Sequence, residues 1–249
     1  MIVGMIRYAV PIKTIEFLTN TKTVEDLYED PYFTDRFNIF CNITLKSFEE
    51  QTNKDFILCV YHTNLIPKDR KKLFDNLEKK YSFIRFIYVD GIELHLPDDL
   101  KEKDLLTFRL DNDDGVTTDF IEKMQEIKKT SKERNFVISI PNIRKIMRVD
   151  ENVYKTNAIY YPSNSIGLAY FSTENKTIMD LKCDHRKMCE NYSSKIIDGN
   201  CGLQIINGYN VGNSIGKAKS SYLTREEMKK LLRKEKYADV DLSCLPIIK

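Results

Sequence analysis

Three carboxylates and a glycine sit within five residues, Asp111-Asn112-Asp113-Asp114-Gly115, directly after the apolar run Leu105 to Leu110. Hard divalent cations prefer carboxylate oxygen, and a cation held between such acids and a diphosphate neutralises charge that a protein could not otherwise crowd together. The stretch points to chemistry on a phosphorylated donor. If the apolar run is a strand and the turn opens at Asp111, then Asp111 and Asp113 can project to one side of the extended chain, with Asn112 and Gly115 suited to the turn. A solvated acidic turn that only caps the next helix is the plainer reading of the same residue types. A calcium loop is out of register, because counting from Asp111 puts the glycine at position five instead of six, although Glu122 falls on position twelve.

The elements that must position these acids are legible in outline. Val3 to Val10, Phe56 to Tyr61, Phe83 to Val89 and Leu105 to Leu110 read as strands separated by helical patterns, as in a mostly parallel sheet flanked by helices. Phe37, Phe40, Cys41, Thr44 and Phe48 give one apolar face to a helix over residues 36–51. Pro67 serves as first residue of a helix reaching Lys80. Asp119 and Glu122 form a capping box for a helix from Phe120 to Lys129. Beyond Phe136 the runs Phe136 to Ile140, Ile143 to Val149, Tyr154 to Tyr161 and Leu168 to Ser172 lie close together, which favours antiparallel pairing. Thr224 and Glu227 open a last helix to about Tyr237. The expected fold is α/β with a mixed sheet, mainly parallel in the first half, in a single domain: 1–118 as the nucleotide-binding half, 119–215 as the acceptor half, and 216–249 as a basic helix and tail.

Composition narrows the partners. Lysine and arginine number 39 against 37 acidic residues, a net charge of +2, which is too little to indicate nucleic acid. Six scattered cysteines lack the density of a secreted disulfide scaffold. The apolar opening is cut by Arg7 and lacks the signature of a signal peptide, and no run approaches the roughly 18 apolar residues of a membrane span. A cytoplasmic protein is expected.

Arg109-Leu110-Asp111-Asn112-Asp113-Asp114 resembles the Arg-x-Asp-x-Asp-Asp form of the DxD motif in GT-A-fold glycosyltransferases. More closely, the chain resembles the putative rhamnosyltransferase family over about residues 36–215. The resemblance is carried by Arg36-Phe37, Ser47-Phe48, Gln51, Asp55-Phe56, Tyr161-Pro162, Ser165-x-Gly167 and the run from Gly202 to Asn210. It implies a GT-A-like, Rossmann-like fold and a nucleotide-sugar donor, UDP-, dTDP- or GDP-linked, whose diphosphate is held by Mn²⁺ or Mg²⁺. Asp113 would then be the direct metal ligand, Asp111 would lie beside it facing the ribose or sugar, and Asn207 would stand at a third metal position where relatives have histidine. Arg36, His62, Thr63, Arg109 and Lys217 would contact the donor.

Other candidates compete for roles. His185, in Cys183-Asp184-His185-Arg186, is the leading site residue of the second half and an alternative to Asn207 at the metal. A catalytic base could be Asp114, Asp184 or Asp198, since a carboxylate near an acceptor hydroxyl can take its proton. Cys183, His185, Cys189 and Cys201 invite a zinc reading, but their spacing matches no common knuckle. Arg109 could equally be a local ion-pair partner, and His62 a loop histidine without a ligand. The tract from Lys217 to Lys236 either packs on the core with solvated lysines or lies on anionic lipid, with Lys217 and Lys219 as a lid over the diphosphate. The reading is a metal-dependent glycosyltransferase moving a sugar, rhamnose among the options, to a glycan, lipid-linked or protein acceptor in surface glycan synthesis. The alternatives are a nucleotidyltransferase and a cation-dependent carbohydrate-binding module.

Overall fold

Alternating apolar residues in the first strand set the layering of the molecule. In the computed structural model, which describes residues 1–10, 25–91, 93–181, 183–208, 215 and 220–248, β1 (Ile2–Ala9) buries Ile2 and Ile6 on one face and Val3 and Met5 on the other. It pairs in parallel with β2 (Phe56–His62) and with β4 (Leu105–Asp111), while β3 (Ile84–Tyr88) extends the parallel run beyond β2. Gly4 is where β1 passes beneath Phe108 and Leu58: a Cβ there would lie 2.5 Å from the Phe108 ring and 2.6 Å from Leu58. Only a glycine lets Phe108 and Leu58 close over the strand.

The helix expected over 36–51 begins earlier and is not uniform. It starts as α1 (Tyr32–Ile39), passes through a π-helical stretch (Phe40–Leu45) and ends as α2 (Lys46–Glu49). Helix α3 (Lys68–Lys80) has Pro67 at its N-cap, one residue outside the expected start. After β4 come the short β5 (Gly115–Val116) and α4 (Phe120–Thr130). Asp119 is the N-cap of α4 but does not cap it with its side chain, so the expected capping box is absent: the carboxylate instead accepts from Thr117 at 2.7 Å and from Lys236 at 3.0 Å.

The second half supplies β6 (Phe136–Ser139), β7 (Asn142–Asp150), β8 (Val153–Tyr160), β9 (Ala169–Ser172), the short α5 (Met188–Asn191), β10 (Ser194–Ile196), β11 (Asn200–Ile206), β12 (Ser221–Thr224) and α6 (Arg225–Lys234). These strands divide between two sheets, a larger one in the order β10-β6-β9-β4-β1-β2-β3 and a smaller one in the order β12-β8-β7-β11-β5. The larger sheet is the expected mixed sheet, parallel through β1 to β4, and the smaller one is added to it. The chain changes sheet between β6 and β7 at Ile140-Pro141, where proline has no N–H to continue a ladder. Antiparallel pairing of β7 with β8 agrees with the spacing argument, whereas β11 runs parallel to β7. Strands from both halves of the chain enter both sheets.

Each sheet has its own cover. Phe48, Phe108, Phe120 and Phe136 fill the space between the larger sheet and its helices, and Leu96, Tyr170, Ile178 and Met188 close its opposite face. On the smaller sheet, Ile146, Leu203 and Ile205 pack against Met228 and Leu232 of α6 and against Leu242 and Leu245. Helix α6 opens with the expected Thr224–Glu227 capping box.

Candidate active site

Parallel strands deliver their carboxyl ends to the same rim, and the acidic stretch lies there. Asp111 is the last residue of β4 and is paired in register with Arg7 of β1. Arg109, two residues back on β4, shares that face by the period-two alternation of a strand. The Arg109 Nη2 lies 3.6 Å from the Asp111 Oδ1, and Ser165 Oγ lies 3.5 Å from Oδ2. The Asp111 side chain stays 48% exposed.

The next two residues turn inward and are tied to the helix across the rim. Arg36 of α1 donates from Nη1 to Asp113 Oδ2 at 2.9 Å and from Nη2 to Asn112 Oδ1. Asn207, just past β11, donates its amide to the same Asp113 oxygen at 2.8 Å, and the positive φ of Gly208 turns the chain immediately after it. Burial works against charge on Arg36, but the carboxylate of Asp113 outweighs it and holds the guanidinium above its ordinary pKa. Asp114 points the other way, accepting from the Ile205 N–H at 3.1 Å. Burial, then repulsion from Asp113 and Asp111, pushes its carboxyl well above the usual range.

The loop is braced from below by Thr44 of the expected helix face and by Ser47 and Gln51, to which the resemblance gave no role. Thr44, in the π-helical stretch, donates to the Asp114 carbonyl at 2.8 Å, and Ser47 donates to the Thr44 carbonyl at 2.7 Å. Gln51 donates to the carbonyls of Ser47 and Thr117 at 2.7 Å and accepts from the Ile121 N–H at 2.9 Å. The acidic turn, α2 and the start of α4 are therefore one hydrogen-bonded unit.

His185 comes to the same rim. Its ring is one-third exposed, with Nδ1 3.6 Å from Asp184 Oδ1, and burial, then repulsion from Arg109, lowers its pKa. Asp184 is committed locally: it caps the turn at Arg186 N and forms a close ion pair with the Arg186 guanidinium, which holds it far below the carboxylate range. It is a poor base. Asp198 is exposed before β11, at the opposite end of that strand from Asn207, which removes it from the site. Lys217 and Lys219 lie outside the described residues.

The expected nucleotide contacts His62 and Thr63 are nearly buried. His62 sits against Phe74 and Phe86, its Nδ1 meets the Thr63 carbonyl at 2.9 Å, and burial lowers its pKa. As placed, it is part of an aromatic core. The zinc reading fails on geometry, since no group of three or more histidine, cysteine or acidic side chains among the described residues could hold a metal ion. All six cysteines are free thiols. A cleft of about 620 Å³ off the end of β3 is lined by Tyr88, Asp90, Glu93 and His95, and none of the candidate site residues lines it.

Two features escaped the sequence analysis. Arg7 is treated there only as a break in an apolar opening, yet it ends up opposite Asp111; a basic residue near the end of a buried strand was the available signal. The second is a polar row across the smaller sheet, where Gln204, Lys145 and Asn157 occupy matched positions on β11, β7 and β8. Its members are scattered in sequence, and only the sheet register brings them together.

The donor set bears on the expected Mn²⁺ or Mg²⁺. Such a cation needs open oxygen ligands, but Asp113 Oδ2 already accepts from Arg36 and from Asn207, and Asn207 presents its nitrogen, not its oxygen, to that carboxylate. Of the turn's three carboxylates, Asp111 alone is exposed. Seating a dication between Asp111 and Asp113 would require expelling a buried guanidinium and turning over the Asn207 amide. As folded, the residues do not fit the ion.

Comparison with known proteins agrees with the fold. Residues 1–219 match the family described as putative rhamnosyl transferase. No curated protein sequence matches the chain. Among solved structures, a fragment of S. aureus TarS in complex with UDP-GlcNAc is similar with a TM-score of 0.50 and 10% identity, over 94% of this chain and 64% of that one. A structure described as a putative glucose-1-phosphate thymidylyltransferase from Bacillus anthracis gives a TM-score of 0.41 and 8% identity over 98% and 99% of the two chains. At such identity the TarS likeness is one of fold, a GT-A-like mixed α/β architecture, and this chain spans less than two thirds of the TarS fragment. The acidic turn, Arg36 and Asn207 all fall within the matched residues, and the chain belongs to the putative rhamnosyl transferase family.

Proposed function

We propose that the protein is a glycosyltransferase that moves a sugar from a nucleotide-sugar donor to a hydroxyl acceptor at the rim formed by β1 and β4. The observation that carries this reading is the acidic turn at the carboxyl end of β4, fixed by Arg36 and Asn207 in a member of this family. Ligands of open α/β sheets bind beyond the carboxyl ends of the strands. Sugar transfer develops positive charge at the anomeric carbon and negative charge on the departing diphosphate, so preorganised charge at the rim lowers the barrier. Asp111, exposed at the rim, suits the ribose or the sugar hydroxyls.

His185 is the group best placed to take the acceptor proton. Its lowered pKa keeps the imidazole neutral near pH 7, and Arg109 and Asp111 act on it electrostatically. Asp114 has no such access, because its carboxyl is buried against Ile205. The family description makes rhamnose the first sugar to try, with a glycan or lipid-linked acceptor. Cytoplasmic residence with peripheral contact to anionic lipid belongs to the same proposal: Lys229 and Arg233 of α6 face Asp239, while Lys230 and Lys234 are exposed. The proposal includes no metal dependence, because Asp113 is already bonded to Arg36 and Asn207.

The test is incubation with UDP-, dTDP- and GDP-linked sugars, dTDP-rhamnose included, followed by nucleotide analysis. Release of a nucleoside diphosphate that rises with added acceptor is the expected result. Pyrophosphate formed from a nucleoside triphosphate and a sugar phosphate would replace this reading with nucleotidyl transfer.

A further inference from the structure

Resting on the reading of a nucleotide-sugar donor, we propose that the donor diphosphate is gripped by the guanidinium groups of Arg7 and Arg109, with Arg36 as the fixed counter-ion of Asp113, so that donor binding needs no divalent cation. The charge layout is the first argument. On the face shared by Arg7, Arg109 and Asp111, two guanidinium groups meet one carboxylate. Around the turn, Arg36 is matched to Asp113, and Asp114 is turned away to the Ile205 N–H. On the shared face, Arg7 and Arg109 thus stand against Asp111 alone, an excess of positive charge. A dication would add to that excess, and a polyanion would relieve it.

Unused hydrogen-bonding capacity is the second argument. The Nε–H groups of Arg7, Arg36 and Arg109 are all buried with no hydrogen-bond partner among the described residues. A buried donor left unpaired is costly, and three around one rim mark a place where acceptor atoms are missing. Among the described residues Arg109 makes only a long contact to Asp111, at 3.6 Å, which leaves its fork unsaturated there. Phosphoryl oxygens are the acceptors that a planar guanidinium fork matches, in pairs and with charge assistance.

The register gives the geometry. Arg7 and Asp111 are aligned on adjacent parallel strands, and Met5 is aligned with Arg109, so the two arginines lie one pleat apart on one face. They can bracket a diphosphate, while Asp111 remains free of it to meet a hydroxyl of ribose or sugar. Arg36 performs internally the neutralisation of Asp113 that a metal ion would otherwise supply.

Calorimetric titration of the full chain with inorganic pyrophosphate, UDP, dTDP and GDP, each in EDTA and again in Mn²⁺, tests the proposal independently of turnover. The expected result is that pyrophosphate and at least one nucleotide bind in EDTA within about threefold of the Mn²⁺ affinity. Arg7→Gln and Arg109→Gln should each weaken that binding about tenfold or more, with Arg→Lys at the same positions recovering part of the loss. Should Arg7→Gln fail to fold, Arg7→Lys and the Arg109 variants carry the measurement. Binding that appears only with Mn²⁺ overturns the inference and leaves the donor reading standing. No binding of any of the four ligands under either condition overturns both.

Discussion

The Arg36 guanidinium and the Asp113 carboxylate meet at 2.9 Å across the rim of the larger sheet, with side-chain exposures of 14% and 3%. The pair locks a helix packed on one side of that sheet to the turn that ends its fourth strand. It also accounts for why a solvated acidic turn, the plainer reading of Asp111 to Gly115, does not describe this stretch. Breaking a buried pair by removing one partner strands the other charge, at a typical cost of about 3–5 kcal/mol. Arg36→Met should lower urea-denaturation stability by that order, and adding Asp113→Asn should restore part of it. A loss below about 1 kcal/mol would place the pair with solvent-screened surface bridges.

Gln51 holds three backbone groups of three segments with one amide. Gln51→Leu keeps much of the volume but leaves the Ile121 N–H and the Thr117 carbonyl buried without this partner. A destabilisation of about 2–3 kcal/mol is expected. Faster hydrogen exchange at the Ile121 amide is the local readout, and unchanged exchange there would show that the brace is not structural.

His185 should set the acid limb of the pH–rate profile. The folded imidazole has its pKa lowered by burial and by Arg109, so it is able to accept a proton at neutral pH and loses that capacity as pH falls through a value below 6.5. His185→Gln should reduce kcat by roughly 10²–10⁴, remove that limb and leave nucleotide binding largely intact. Retention of the limb in the variant would assign it to another group.

His62 makes a separate prediction about stability. Burial depresses its folded pKa below the ordinary 6.5, so between those two values the unfolded chain binds more protons than the folded one. Stability is then present in full above about pH 6.5 and is lost as pH falls from there toward the folded pKa. His62→Phe, an aromatic replacement beside Phe74 and Phe86, should flatten the fall of chemical-denaturation stability below pH 6.5, apart from the share of His185, whose pKa is shifted the same way. An unaltered slope would mean that the imidazole titrates as if solvated.

Strand-level features needed little beyond local pattern. Ile2–Ala9, Phe56–His62 and Leu105–Asp111 are predominantly apolar, with polar or charged residues toward their carboxyl ends, because strands buried on both faces carry apolar residues on each. The Thr224–Glu227 box was readable because both of its partners lie within one helical turn. Asp119 and Glu122 show the same spacing, but Asp119 is drawn off by Thr117, Lys123 and Lys236, the last of them brought from the far end of the chain. The split into two sheets was not readable, since a run such as Phe136–Ser139 carries no mark of which sheet will receive it.

By itself the chain of residues determined that acids would stand at the end of a buried strand, because an apolar run followed by Asp111-Asn112-Asp113-Asp114-Gly115 can only leave the sheet there. Tertiary structure alone decided what those acids face. Arg7, Arg36 and Asn207 are separated from them by about a hundred, eighty and ninety residues, and whether a carboxylate ends up open to a cation or bonded to a guanidinium depends on strand register and helix docking. No local spacing encodes that choice.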